Sequence, residues 1–154
     1  MVAIGIWRKE IKIPNHVKNQ LMIVTMDRDL INEVLDYVAQ DPEEDHKGGR
    51  GTMDFNKIIP MPSYIYRGDL PLTHNYGKNN WYDWCCDNWG TKWDAHADDD
   101  NIEISETSIR VSFDTAWSPP INWLYKVQKD YPTLKFKLFY TEESNAFTGI
   151  VFTN

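Results

Sequence analysis

The chain has 154 residues, 42% of them hydrophobic and 25% charged, with a formal charge of −7. That is the size and composition of one soluble domain with a real core. The acidity speaks against a protein that works by neutralising phosphates, so composition alone argues against nucleic acid as a partner.

Residues 1–13 read as an N-terminal extension. Met1–Trp7 is apolar, but it is too short for a signal core and lacks a basic leader. Val17, Asn19, Leu21, Ile23 and Thr25 alternate with Lys18, Gln20, Met22 and Val24, the period of a strand; apolar residues on both faces give it a central place. Asp27 or Asp29 caps a helix whose apolar stripe is Leu30, Ile31, Val34, Leu35 and Val38, ended by Pro42. Residues 41–51 form a polar loop with Gly48, Gly49 and Gly51, outside any phosphate-loop context. Residues 53–56 are expected as a short strand. Ile58-Ile59-Pro60-Met61-Pro62 is then an extended crossover, and residues 63–76 are irregular.

Residues 80–89 hold Trp81, Trp84, Trp89 and both cysteines, Cys85 and Cys86. Asn79 or Asn80 can cap a short helix here, with Gly90 ending it. Trp81, Trp84 or Cys85, and Trp89 share one face. Thr91-Lys92-Trp93-Asp94-Ala95-His96 alternates like a half-buried strand, and Ile102 and Ile104 belong to another. Ile109, Val111 and Phe113 alternate cleanly. Ser118 is placed to cap a helix with Pro119 at its first position and Ile121, Leu124 and Val127 as its stripe; Pro132 ends it. Leu134, Phe136, Leu138 and Tyr140 form a strand, and residues 147–152 return as the last one.

Two strand–helix–strand units with their helices on one face of an antiparallel sheet define a ferredoxin-like α+β fold. Residues 1–154 make a single domain, with residues 41–90 inserted, including the Trp-rich helix. The strand at 17–25 lies beside the strand at 108–114 in the middle of the sheet.

His16, His46, His74 and His96 lack metal-ligand spacing, and neither a nucleophile elbow nor a phosphate loop occurs. No catalytic residue, metal or cofactor is therefore assigned. Adjacent cysteines in a helix do not reach disulfide geometry with each other, which suits a reducing cytoplasm. No run of the sequence reaches transmembrane length. Two surfaces remain as candidates. One is an aromatic binding site of Trp81, Trp84, Lys92, Trp93, Asp114 and Trp117, set against the plainer reading of these tryptophans as core. The other is an acidic patch of Asp41, Glu43, Glu44, Asp45, Asp98, Asp99, Asp100 and Glu103, suited to a basic partner.

Several segments carry a resemblance: Pro14–Leu21, Phe55–Pro62, Asn80–Ala95, Phe113-Asp114-Thr115-Ala116-Trp117-Ser118-Pro119-Pro120, and Tyr140-Thr141-Glu142-Glu143 with Phe147-Thr148-Gly149. Together they resemble the YubB-like ferredoxin-fold group of phages, prophages and plasmids over residues 14–152. The resemblance implies a ferredoxin-like fold and an origin on a mobile element, but no activity. The leading expectation is an accessory protein that binds a host protein in the host cytoplasm, as a counter-defence inhibitor or regulator using its acidic loops. The alternatives are a small-molecule or nucleotide-binding enzyme with an aromatic pocket around Trp81–Trp93, and a single-stranded RNA binder using the sheet face.

Overall fold

The structure is a computed structural model that describes residues 15–40, 49–70, 77–97 and 101–153, and of residues 49–52 the backbone alone. In chain order the elements are β1 (His16–Val24), α1 (Arg28–Val38), β2 (Ala39–Gln40), β3 (Gly49–Met53), α2 (Phe55–Ile58), α3 (Trp81–Asn88), β4 (Ile102–Ile104), β5 (Ser108–Ala116), α4 (Ile121–Asp130), β6 (Lys135–Glu142) and β7 (Thr148–Phe152). Five strands form one antiparallel sheet in the order β4-β5-β1-β6-β7, and β2 pairs with β3 in a separate ribbon. This is the ferredoxin-like arrangement expected from the sequence, extended by the edge strand β7.

The strand period decides which face is covered. Val17, Asn19, Leu21 and Ile23 are buried, while His16 and Lys18 between and beside them are exposed. Leu21 stands opposite Val111 on β5 and Leu138 on β6, and Ile23 opposite Ile109 and Phe136. These apolar rows pack under α1 and α4. Asp27 caps α1 by accepting hydrogen bonds from the amides of Asp29 (3.0 Å) and Leu30 (3.2 Å). Its buried residues are Ile31, Val34, Leu35 and Val38; those of α4 are Trp123, Leu124 and Val127. Tyr37 on α1 donates to Asp130 (2.7 Å), and Tyr131 after α4 donates to Glu33 (3.1 Å), so the helices are also tied at their ends. Burial, aided by those carboxylates, pushes both phenols up to about 12.

Phe55 is the hub of the core. Its ring centroid lies 4.9 Å from Trp123, 5.9 Å from Trp89 and 6.1 Å from Phe113. Each such buried ring contributes on the order of 1.5–3 kcal/mol through burial alone.

Four local expectations are corrected. Residues 49–51 belong to β3 rather than to a loop. Residues 53–56 do not continue as a strand: Phe55–Ile58 is one helical turn, because Asp54 caps it through the Lys57 amide (2.8 Å) and Asp94 accepts from the Phe55 amide (2.8 Å). Residues 91–96 are not a strand, since only His96 pairs, in a bridge with Asp114 on β5. Ser118 does not cap α4. Its hydroxyl donates to the Gly90 carbonyl (2.6 Å), and the helix begins after Pro120 with no side-chain cap. The N-terminal extension of residues 1–13 lies outside the described residues.

Candidate functional site

Asn80 starts α3 by accepting from the Asp83 amide (3.0 Å) while its own amide donates to the Asp83 carboxylate (2.6 Å). Trp81 is held against the preceding segment: its backbone amide donates to Tyr66 O (2.8 Å) and its indole N–H to Gly68 O (3.1 Å). Gly90 ends the helix at φ 89°, a left-handed conformation that glycine takes without strain. An added Cβ there would meet the Ile121 amide nitrogen at 3.1 Å.

Two hydrogen bonds then bring the segment after α3 against the end of β5. The buried Thr91 hydroxyl donates to Ala116 O (3.0 Å), and Ser118 reaches Gly90 O as described. Between them, Lys92 is set over Trp117. Its Nζ is 4.3 Å from the Trp117 ring centroid, 5.0 Å from Trp93, 5.8 Å from Tyr82 and 5.9 Å from Trp81. All four lie within the reach of a cation–π attraction. The rings also brace one another edge-on, Trp81 to Tyr82 at 6.0 Å and Tyr82 to Trp117 at 5.8 Å. Lys92 makes no ion pair among the described residues. Trp93 and Trp117 remain 41% and 39% exposed, far more than the core tryptophans.

Trp117 has φ 70°. A bulky residue in left-handed backbone costs roughly 1–2 kcal/mol, and such outliers gather where a side chain must be aimed. Here the turn ends β5, with the Trp117 amide donating to Asn15 O (3.0 Å), and carries the indole to Lys92.

Trp81, Lys92, Trp93 and Trp117 are thus brought together, and Tyr82 completes the group. The sequence reading missed Tyr82 because helical period placed it off the tryptophan face; its adjacency to Trp81 was the available signal. Two expected members are elsewhere. Trp84 packs edge-on against Trp89 at 5.5 Å, on the core side of α3, and the Trp89 indole donates to Ile59 O (2.9 Å). Asp114 lies on the face of the sheet turned away from α1 and α4, opposite Lys18, and lines an open depression of about 600 Å³ with Gln20, Ser112 and Phe139. Of the acidic patch, Glu103 is engaged by Arg110 (3.0 Å). Asp41, Glu43, Glu44, Asp45, Asp98, Asp99 and Asp100 lie outside the described residues.

Burial pushes the Cys85 thiol up to about 12 and raises that of Cys86, so both keep their protons at neutral pH and neither is an activated nucleophile. Burial also pushes Asp94 up to about 6, although the Phe55 and Ala95 amides (both 2.8 Å) favour its charge; it is a clamp on α2. No group of three or more His, Cys, Asp or Glu among the described residues could hold a metal ion. No helix among them is long and apolar enough to cross a membrane.

The sheet order and the helices define a ferredoxin-like α+β domain. Residues 88–152, from the last residue of α3 to the end of β7, match the model of a family described as the ferredoxin-like domain in Api92-like protein. No curated protein and no solved structure matches the chain.

Proposed function

We propose that this protein is a binding module of mobile-element origin, akin to the YubB-like group, that acts by covering a surface of a host protein in the host cytoplasm. The contact is made by Lys92, Trp93 and Trp117, with Tyr82 and Trp81 behind them. One observation carries the reading: an ammonium with no carboxylate partner among the described residues is held over four rings, two of which are exposed tryptophans. Tryptophan and tyrosine dominate the energetic centres of protein interfaces, because each covers a large area for few frozen torsions. The left-handed Trp117 supports the same reading, since its backbone strain is not offset by full burial of the ring. The acidic loops of the sequence would serve as a polar rim that selects a basic neighbour.

The test is affinity capture from host lysate with the wild type and a Trp93→Ala/Trp117→Ala double variant whose far-UV circular dichroism is unchanged. A specific partner retained by the wild type and reduced at least tenfold by the variant is expected, as truncating an aromatic anchor costs about 2 kcal/mol or more. Equal retention by both would remove the aromatic cluster from the interface.

A further inference from the structure

Among the described residues no helix covers the face of the sheet opposite α1 and α4, and the two sides of that face differ. Toward β6 and β7 stand Phe139, Ile150 and Phe152, which are 39%, 41% and 57% exposed. Phe139 is opposite Ile150 and Lys137 is opposite Phe152. Lys137 Nζ lies 5.7 Å from the Phe152 ring centroid. On the other side of Phe139, Gln20 of β1 faces it, and the open depression begins there.

The charge of this face runs against that of the chain. Among the described residues the strands place Lys18, Arg110, Lys135 and Lys137 on it, against Glu103 and Asp114, and Glu143 just past β6 reaches His16 on the same face: four positive less three negative leaves +1, in a chain of −7. Glu103 and Asp114 lie toward β4 and β5, where Arg110 already occupies Glu103, and Glu143 lies beside His16 at the far end of β6. Lys135 and Lys137 lie beside the rings and make no ion pair among the described residues. The case against phosphate recognition drawn from net charge is therefore a property of the chain average and not of this surface.

We infer that the β6–β7 side of this face binds single-stranded nucleic acid. Phe139 and Phe152 would each receive one base, and Lys135 and Lys137 would meet the phosphates. The geometry suits splayed bases. Diagonal neighbours on adjacent strands are about 7–8 Å apart, too far for two bases to stay stacked on each other and suited to one ring each. A duplex hides its base faces and gains nothing from exposed rings, which selects the single strand. The lysine ammonium beside Phe152 places cation and stacking surface within one nucleotide's reach.

The experiment is fluorescence anisotropy with labelled 12-residue oligouridylate, oligothymidylate and a mixed-sequence duplex, at low and moderate salt. Binding of single strands in preference to the duplex is expected, with tighter binding of the RNA assigning a contact to the 2′-hydroxyl and equal binding assigning stacking and phosphate contacts alone. Phe139→Ala/Phe152→Ala should weaken it about tenfold or more. Lys135→Ala/Lys137→Ala should weaken it and flatten the salt dependence by about 1.4 in log–log slope. Both double variants change exposed or half-exposed side chains, and thermal melts matching the wild type would show them folded. Trp93→Ala/Trp117→Ala, the variant that tests the proposed protein contact, should bind the strands as the wild type does, so the two readings fail separately. The inference is overturned if no single strand binds, if the duplex binds equally well, or if the phenylalanine variant binds unchanged.

Discussion

The core tryptophans and the displayed ones use the same side chain for opposite ends. Trp123 and Trp89 close around Phe55 and are 0% and 5% exposed. Trp93 and Trp117 gather around Lys92 and stay about two-fifths open. The difference lies in the backbone that carries them. Trp123 belongs to a regular helix, and Trp89 is the cap of another, so their direction follows from helical geometry and the position of the sheet. Trp93 and Trp117 stand in irregular segments. Their direction follows from a few hydrogen bonds, Thr91 to Ala116 and Ser118 to Gly90, and from one left-handed residue. A ring on a periodic element is aimed by its neighbours in sequence; a ring on a turn is aimed by distant partners.

The sharpest way to break this contrast is truncation. Trp123→Ala should lower unfolding free energy by about 3–5 kcal/mol in a denaturant titration, and Trp93→Ala by less than about 1 kcal/mol. Comparable losses would mean that the exposed ring is structural after all.

Next in size is the clamp that joins the two regions, Asp94. Because its folded pKa is raised from 3.8 to about 6, its contribution to stability is fully present below about pH 3.8 and is lost as pH rises through about 6. Asp94→Asn keeps an oxygen for the Phe55 and Ala95 amides but removes the charge. The variant should match the wild type near pH 4 and exceed it by up to about 3 kcal/mol above pH 7. Melting curves across that range would refute the assignment if the gap instead widened on acidification.

Gly90→Ala has a smaller expected cost, about 1–2 kcal/mol for forcing a side chain into left-handed backbone, with the new methyl crowding the start of α4. Its value is that it displaces the Thr91–Lys92 segment, so partner capture should fall further than stability does. The smallest effect belongs to Lys92→Met, which keeps the bulk of the side chain and removes its ammonium. A loss of about 0.5–1 kcal/mol in thermal stability is expected for a solvent-accessible cation–π group.

How much of this was legible in the sequence follows the same division. β1, α1, β5, α4 and β6 stand where alternation and apolar stripes put them, since each buries one face and must repeat with its own period. The cap at Asn80 and the stop at Gly90 were legible for the same local reason. Two of the failures rest on bonds between distant residues. The α2 turn needs Asp94, which lies 39 positions beyond Phe55 in sequence. Residues 91–96 alternate like a strand but find one bridge only. Ser118 has the chemistry of a cap, yet its hydroxyl is taken by Gly90. In the candidate site, the members carried by the 90–93 and 117 turns were named from their residue types, whereas Tyr82 was overlooked and Asp114 misplaced. Strand alternation sends Asp114 to the other side of the sheet from its buried neighbours Phe113 and Thr115.

The central position of β1 has a consequence for how the chain is made. Its two neighbours, β5 and β6, begin at Ser108 and Lys135. On a ribosome adding about 5–20 residues per second, β1 emerges several seconds before either partner exists. During that interval Val17, Leu21 and Ile23 have no sheet to join, and closing so long a loop is among the slower steps available to a domain of this size. Nascent β1 is therefore the segment with most to gain from a chaperone, and Lys18 and Gln20, by interrupting its apolar run, help keep it from pairing with a second unfinished copy.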